Sequence, residues 1–236
     1  LIHVDIDPAE IGKNIVADIP IVGNVKDVLK QLSSQISQIS AEREWREFAK
    51  KTRAENKSSV NYEDNGFVNP RGFVEKLSEK TNKDSYIATE VGQNQIWTAN
   101  YFNFQRPGQL ITSAGFGTMG YGLPAAIGAA IGNPGREVVC VSGDGGFQMN
   151  SQEIATAVIQ ELPITICILN NGYLGMVRQW QDLFYDKAYA GTCLRRRKSC
   201  EHHCDGDFSK CPPYTPDFVK LAESYGAQGI RVFKKE

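Results

Sequence analysis

Two apolar runs, each ending in a short polar motif, constrain the fold of this chain more than any other feature. Residues 137–142 precede Gly143-Asp144-Gly145, and residues 163–169 precede Asn170-Asn171. The segment between them, residues 149–162, carries apolar side chains at helical spacing. The pattern predicts a β-α-β unit whose motifs leave parallel strands at their carboxyl ends, where open α/β sheets bind ligands.

The side chains of these motifs are oxygen ligands of the kind that magnesium prefers. Asp144 would supply a carboxylate and Asn171 an amide oxygen, while the flanking glycines would let a diphosphate approach the backbone. A lone Gly-Asp-Gly is also typical of an ordinary turn, and Asp144 could instead cap the following helix. The paired asparagines after a second apolar strand favour the metal site.

The two motifs and their spacing resemble the metal and diphosphate motif of thiamine diphosphate enzymes. Residues 3–8, 113–126 and 171–180 together resemble acetolactate (acetohydroxyacid) synthase, large catalytic subunit. The resemblance covers nearly the whole chain apart from an insertion near residues 191–213. It implies an α/β fold: a parallel sheet flanked by helices, the thiamine diphosphate-binding fold, preceded by the end of a second α/β domain.

The resemblance also implies a division into three parts. Residues 1–40 would be the end of a middle, FAD-binding type domain, and the charged residues 41–62 a linker helix and linker. Residues 63–236 would be a C-terminal thiamine diphosphate-binding domain, truncated at its end, because the chain opens and closes within predicted strands. The strands predicted for this domain alternate with helices, which favours a parallel sheet covered on both faces. They are residues 86–89, 109–111, 138–141, 164–169 and 229–232.

Charge and hydropathy exclude two classes of partner. With a net charge of −1 over 236 residues, there is no electrostatic case for nucleic acid or an anionic membrane surface. No apolar stretch approaches the about 18 residues that a membrane-spanning helix needs. The resemblance implies a cytoplasmic homodimer or tetramer acting on small 2-oxo acids, with a regulatory small subunit as a further candidate partner.

The resemblance extends the metal and diphosphate sites beyond the two motifs. The backbone carbonyl of Tyr173 would be a third metal ligand beside Asp144 and Asn171. Asn94 stands where relatives usually carry histidine, so we expect a weaker contact with the diphosphate rather than none. The residues expected to bind the cofactor are Gln93, Asn94, Gly117, Met119, Gly143, Asp144, Gly145, Gly146, Asn171, Tyr173, Leu174 and Gly175.

Four residues are expected to act in catalysis by resemblance. Met119 would wedge between the two rings of thiamine, and the Gly117 carbonyl would accept a hydrogen bond from the 4′-amino group. Met176 and Trp180, four apart on one helix face, would line the substrate channel, with Trp180 favouring 2-oxobutyrate as second substrate. Plain hydrophobic packing is the alternative for Met119, Met176 and Trp180. The activating glutamate of the family belongs to a separate N-terminal domain.

FAD is a further cofactor implied by the resemblance. Asp5, Asn24 and Val25 match positions that contact FAD in the middle domain, where its role would be structural.

The cysteines of the insertion are the main departure from the family. Cys193, Cys200, Cys204 and Cys211 lie close together in the sequence of an expected cytosolic enzyme, which favours metal over disulfides. The candidates are zinc or an iron–sulfur cluster, a redox-sensitive clip, or unligated thiols. Cys140 and Cys167 lie within apolar strands and are expected to be buried.

The leading prediction is therefore an acetolactate synthase that uses thiamine diphosphate and magnesium to decarboxylate pyruvate and condense it with a second 2-oxo acid. Another thiamine diphosphate enzyme, of the pyruvate oxidase, 2-oxo acid decarboxylase or glyoxylate carboligase type, is an alternative. A catalytically silent cofactor-binding module is the non-enzymatic alternative, and the isolated chain is expected to be inactive.

Overall fold

The computed structural model describes residues 1–36, 43–55, 67–195, 198, 200 and 216–233. Its backbone contacts divide the chain into two compact units, Leu1–Asn61 and Tyr62–Glu236. Among the described residues, no helix is both long and apolar enough to cross a membrane. The predicted domain boundaries at residues 40 and 62 stay a prediction.

The first unit begins with two parallel strands. Strand β1 (Ile2–Asp5) pairs with β2 (Ile19–Val22), with Ile2 opposite Ile19 and Asp5 opposite Val22. Helix α1 (Val25–Gln35) follows. It begins at Val25 because Asn24 caps it with a side-chain oxygen that accepts from the Lys26 N–H at 2.9 Å. Helix α2 (Arg43–Glu55) begins the charged segment that the sequence predicts to be helical.

The second unit is built on a four-stranded, wholly parallel sheet in the order β4-β3-β5-β6. Its strands are β3 (Tyr86–Thr89), β4 (Leu110–Ile111), β5 (Val138–Gly143) and β6 (Ile164–Leu169), which confirms four of the predicted strands. The helices are α3 (Pro70–Lys80), α4 (Gln93–Tyr101), α5 (Gly122–Gly132), α6 (Asp144–Phe147), α7 (Ile154–Ile159), α8 (Gly175–Phe184) and α9 (Phe218–Ser224), with a 3₁₀ turn at Ser151–Glu153. The predicted α/β fold with helices flanking a parallel sheet is confirmed.

Helices pack on both faces of this sheet. Alternate residues of each strand point to opposite faces, so each strand contributes side chains to both layers of helices. On one face, Val139 and Val141 pack with Val74 of α3. On the other, Cys140 packs with Ala126 and other small residues of α5. Strand β5 is therefore buried on both faces, as its continuous apolar sequence predicts, whereas the residues of β6 are at most half-buried.

One sequence prediction of secondary structure is wrong, and one helix is shorter than predicted. Residues 229–232 are not a strand: no described strand pairs with them, and the side chains of Ile230 and Val232 are 78% and 68% exposed. A segment that has no neighbouring strand among the described residues gains neither ladder hydrogen bonds nor burial of its apolar side chains. The helix predicted between β5 and β6 is confirmed as α7, although within residues 149–162 it is shorter than the apolar spacing suggests and is preceded by the 3₁₀ turn.

Candidate active site

The candidate site lies along one edge of the sheet, where β3, β5 and β6 end. Gly143, the last residue of β5, pairs with Leu169, the last residue of β6. Thr89, the last residue of β3, pairs with Val141 of β5. The segments that follow these strands therefore begin at the same edge, and they contain most of the residues predicted to bind cofactor and metal.

Asp144 is buried at this edge, with 1% of its surface exposed. Burial raises the pKa of its carboxyl group, while backbone N–H groups led by that of Gly172 act in the opposite direction. The Asp144 Oδ2 accepts from the Gly172 N–H at 2.8 Å. The cap residue of α6 is Gly143, so Asp144 is not the helix cap that the alternative interpretation required.

Asn171 and Tyr173 lie on the loop between β6 and α8. The Asn171 Oδ1 accepts from the Tyr173 N–H at 2.8 Å, and Gly172 between them has a positive φ of 74°. The same loop forms a short antiparallel pairing with the start of the insertion: Tyr173 bridges Cys193, and the Leu174 N–H donates to the Thr192 carbonyl at 2.8 Å. The predicted metal loop is thus held in place by the residues that enter the cysteine-rich insertion.

Glycines leave room for side chains that crowd this edge. A Cβ atom on Gly145 would lie 2.7 Å from Cδ2 of Leu174, and one on Gly175 would lie 2.3 Å from Oε1 of Gln93. Real Cβ atoms do not approach other atoms so closely. A side chain at either position would have to displace Leu174 or Gln93, so the two glycines let neighbouring groups approach the backbone closely at this edge.

Asn94 occupies the first turn of α4 and is 4% exposed. Its Oδ1 has no hydrogen-bond partner among the described residues. Leaving a buried amide oxygen unpaired costs about 1–3 kcal/mol. Rotation of the Asn94 amide by about 180° would turn its NH₂ group to this position, from which it would donate to an anion. This orphaned polar group fits a polar ligand at the edge.

Met119 belongs to the glycine-rich turn between β4 and α5. It is half-buried and lies outside the clusters of buried core residues, and its Cε is 3.9 Å from the position that a Cβ on Gly145 would take. Gly117 is exposed, with a positive φ of 61°. The structure therefore brings Met119 to the Gly-Asp-Gly motif.

Met176 and Trp180 lie on α8, directly after the metal loop. Met176 is half-buried, whereas Trp180 is 57% exposed and packs edge-on against Phe184, with 6.5 Å between ring centroids. The described residues leave more than half of the Trp180 side chain uncovered, so Trp180 is not a core residue among them. The first turns of α8 also line a cavity of about 230 Å³, together with Gln93 and the metal loop.

Sequence reasoning missed two residues at the site. Glu90 is 1% exposed and accepts from the N–H groups of Gly120 at 2.9 Å and Gly122 at 3.0 Å. Arg178 lies in the cavity between the rings of Tyr173 and Tyr189, with its Cζ 4.4 Å and 3.7 Å from their centroids. The position of Glu90, an acidic residue directly after an apolar strand, could have indicated a role at the site. The sequence around Arg178 contains no pattern that would have indicated one.

The remaining predicted residues are placed less completely. In the first unit, Asp5 ends β1 and Asn24-Val25 begins α1, so these FAD candidates leave one edge of the two-stranded sheet. Cys193 and Cys200 are half-buried. Cys204 and Cys211 lie outside the described residues. Within the part of the chain that the structure describes, no three His, Cys, Asp or Glu side chains are grouped so that they could hold a metal ion.

Comparison with known proteins identifies the family. Residues 90–236 match the model of the C-terminal TPP binding domain of thiamine pyrophosphate (diphosphate) enzymes, and residues 1–32 match that of their central domain. A probable acetolactate synthase large subunit of Methanococcus aeolicus is 41% identical over 98% of this chain and 38% of its own length.

Two further relatives agree with this result. The acetolactate synthase large subunit of Corynebacterium glutamicum is 40% identical over 100% of the chain and 36% of its own length. The isozyme 3 large subunit of Escherichia coli is 40% identical over 98% and 38%. The chain thus spans somewhat over a third of these relatives. Because the C-terminal model matches most of its residues, the chain belongs to the thiamine pyrophosphate enzyme family.

Proposed function

We propose that this chain is part of the large catalytic subunit of an acetolactate synthase. The enzyme would decarboxylate pyruvate and condense the product with a second 2-oxo acid, pyruvate or 2-oxobutyrate, in branched-chain amino acid biosynthesis. One observation carries the proposal: Asp144 and the Asn171 loop leave adjacent strands in register and are joined by a hydrogen bond, in a chain about 40% identical to named synthases.

The residues at the edge fit a magnesium ion and a diphosphate. Asp144 and Asn171 would supply side-chain oxygens and Tyr173 a carbonyl, and Mg²⁺ commonly combines one or two carboxylates with phosphate oxygens. Gly143, Gly145, Gly146 and Gly175 would let the diphosphate approach the backbone, beside Gln93, Asn94 and Leu174. When bound, thiamine diphosphate would supply the electron sink for decarboxylation.

The chain's own residues would orient the cofactor and select the substrate. Met119 would hold the two rings in the bent form, and the Gly117 carbonyl would accept a hydrogen bond from the amino group. Met176 and Trp180 would contact the incoming 2-oxo acid. The exposure of Trp180 supports this role, because a side chain that the described residues leave uncovered is available to a ligand.

Further cofactors and partners belong to the same proposal. Asp5, Asn24 and Val25 would contact FAD in a structural role. Zinc or an iron–sulfur cluster would bind Cys193, Cys200, Cys204 and Cys211. The enzyme would be cytoplasmic, a homodimer or tetramer, and able to bind a regulatory small subunit.

The test is product analysis of the full-length protein with pyruvate, alone and with 2-oxobutyrate. We expect acetolactate and acetohydroxybutyrate, and no product when magnesium or thiamine diphosphate is omitted. Acetaldehyde or acetyl phosphate from pyruvate would instead indicate a decarboxylase or an oxidase. In a parallel assay with glyoxylate as the substrate, tartronate semialdehyde would indicate a glyoxylate carboligase. Cofactor binding without turnover would indicate the silent module, the behaviour we propose for the isolated 236-residue chain.

A further inference from the structure

A buried carboxylate lies beneath the glycine-rich turn, and none of the roles above uses it. Glu90 follows β3 directly and is 1% exposed. Its backbone N–H donates to the Val141 carbonyl at 2.9 Å, so its main chain is fixed to the centre of the sheet. A buried charge is tolerated only where hydrogen bonds replace water.

The carboxylate of Glu90 is bonded mainly to the turn. Its Oε1 accepts from the Gly120 N–H at 2.9 Å and from its neighbour, the Val91 N–H, at 2.9 Å. Its Oε2 accepts from the Gly122 N–H at 3.0 Å. Hydrogen bonds to an ionised acceptor are roughly twice as strong as neutral ones, so these bonds fix the turn firmly.

A second side chain, that of Asn150, holds the same turn through the next peptide group of the chain. The Asn150 Nδ2 donates to the Gly120 carbonyl at 2.8 Å. Gly120 has a positive φ of 89°, and a Cβ there would lie 2.7 Å from Asn150 Nδ2. Both the N–H and the carbonyl of Gly120 are thus bonded to side chains from elsewhere in the fold.

Two glycines provide the space that Glu90 occupies. A Cβ on Gly146 would lie 2.2 Å from Cγ of Glu90, and one on Gly122 would lie 2.9 Å from its backbone nitrogen. Gly146 belongs to the segment after β5 that is proposed to bind diphosphate. Glu90 therefore packs between the turn and the proposed diphosphate cradle and contacts both.

We propose that Glu90 is a positioning residue, which fixes the turn of residues 117–122 so that Gly117 and Met119 stand at the correct distance from the diphosphate site. The inference rests on the proposed function for its consequence in catalysis. Glu90 bonds to backbone N–H groups and not to reacting atoms, so it acts through Gly117 and Met119. It is distinct from the activating glutamate, which the family carries in another domain.

The variant that tests the proposal is Glu90→Gln in the full-length protein. It preserves size but turns one acceptor oxygen into an NH₂ group that faces a backbone N–H. Glu137→Gln is the matched control, because the Glu137 carboxylate also accepts from a backbone N–H, that of Asn82 at 2.7 Å, at the opposite end of β5. Glu90→Asp keeps the charge but shortens the reach, and serves if Glu90→Gln does not fold.

The first readout is hydrogen exchange of the amides at 120 and 122, which needs no ligand. We expect faster exchange there in both Glu90 variants and unchanged exchange in Glu137→Gln. The second readout compares two probes with magnesium: thiamine diphosphate and inorganic pyrophosphate. Affinity for thiamine diphosphate should fall at least about tenfold relative to pyrophosphate, the scale of one charge-assisted hydrogen bond, since only the former would reach the turn.

The outcomes separate this inference from the proposed function. Unchanged exchange at 120 and 122, or an equal loss of affinity for both probes, would overturn the positioning role. A parent protein that binds neither probe would overturn the proposed function, and the exchange data would still decide whether Glu90 holds the turn.

Discussion

The carboxylate of Asp144 accepts a hydrogen bond from the backbone N–H of Gly172, with 2.8 Å between oxygen and nitrogen. This bond joins the segment after β5 to the loop after β6. Two of the proposed metal ligands, Asp144 and Asn171, are therefore oriented relative to each other by the protein itself. A site whose ligands are already arranged loses less conformational entropy when an ion binds.

Replacing Asp144 with alanine should abolish magnesium-dependent binding of thiamine diphosphate. Asp144 is the only carboxylate among the three proposed ligands, so its loss removes the negative charge that balances the ion. We expect cofactor affinity, measured by calorimetry on the full-length protein, to fall at least about a hundredfold. Asp84→Ala, at the amino end of β3 where Asp84 pairs with Arg136, is the control and should bind normally. Unchanged affinity in Asp144→Ala would remove Asp144 from the metal site.

Asn94→Ala should weaken the binding of thiamine diphosphate by about tenfold, because the buried amide would no longer contact the diphosphate. Asn100→Ala is a matched control on the same helix: its Nδ2 bonds the Ile96 carbonyl at 2.8 Å and its side chain is exposed. We expect Asn100→Ala to bind as the parent does. Equal affinities for the two variants would mean that Asn94 makes no contact with the cofactor.

Trp180→Leu should reduce the preference for 2-oxobutyrate over pyruvate as second substrate by about 1–2 kcal/mol, the usual scale for discriminating one methylene group. The measurement is the product ratio when both substrates compete. Because Trp180 is exposed, the melting temperature should change little. Phe184→Leu removes its ring partner, and the same change of ratio in that variant would assign the effect to packing along α8 rather than to contact with substrate.

Replacing the four insertion cysteines, Cys193, Cys200, Cys204 and Cys211, with serine should remove about one bound zinc ion or an iron–sulfur absorbance from anaerobically purified protein. Metal binding is coupled to the ordering of such a loop. Because Cys193 bridges Tyr173, losing the metal should also weaken magnesium-dependent cofactor binding. A metal-free parent with four titratable thiols at these positions would contradict the prediction.

The two strand cysteines should resist alkylation in the folded protein. Burial raises the pKa of Cys167 to about 11, and burial, with a smaller contribution from the Glu90 charge, also raises that of Cys140. Only the thiolate reacts, so iodoacetamide at about pH 8 should leave both unmodified until denaturant is added. Mass spectrometry after a timed reaction checks this, and rapid labelling of Cys167 would show that β6 is accessible.

The sheet could be predicted because each of its strands is a short segment that its own local sequence indicates. β5 and β6 are continuous apolar runs that end in polar motifs, and a β-α-β unit fixes where those motifs emerge. The same reasoning failed at residues 229–232, where Ile230 and Val232 alternate with Gly229 and Arg231 and have no neighbouring strand among the described residues. Apolar composition shows that a segment can form a strand, but pairing decides whether it does.

The site could be predicted only where its residues follow strands. The positions of Asp144 and Asn171 directly after apolar strands indicate that they belong to a site. The role of Glu90 instead depends on contacts with Gly120 and Gly122, two residues that lie some 30 positions further along the chain. The pairing of Tyr173 with Cys193 is likewise absent from any local pattern. Side chains that support a site from below are specified by tertiary packing, which one sequence does not display.

The register of β5 beside β6 has a consequence for stability. A ligand held jointly by Asp144 and the Asn171 loop can bind only while Gly143 and Leu169 stay paired. Such a ligand stabilises the folded state by mass action, by about 2.7 kcal/mol when its free concentration is about a hundred times its dissociation constant. Supplies of magnesium and cofactor would then set the fraction of this unit that is folded.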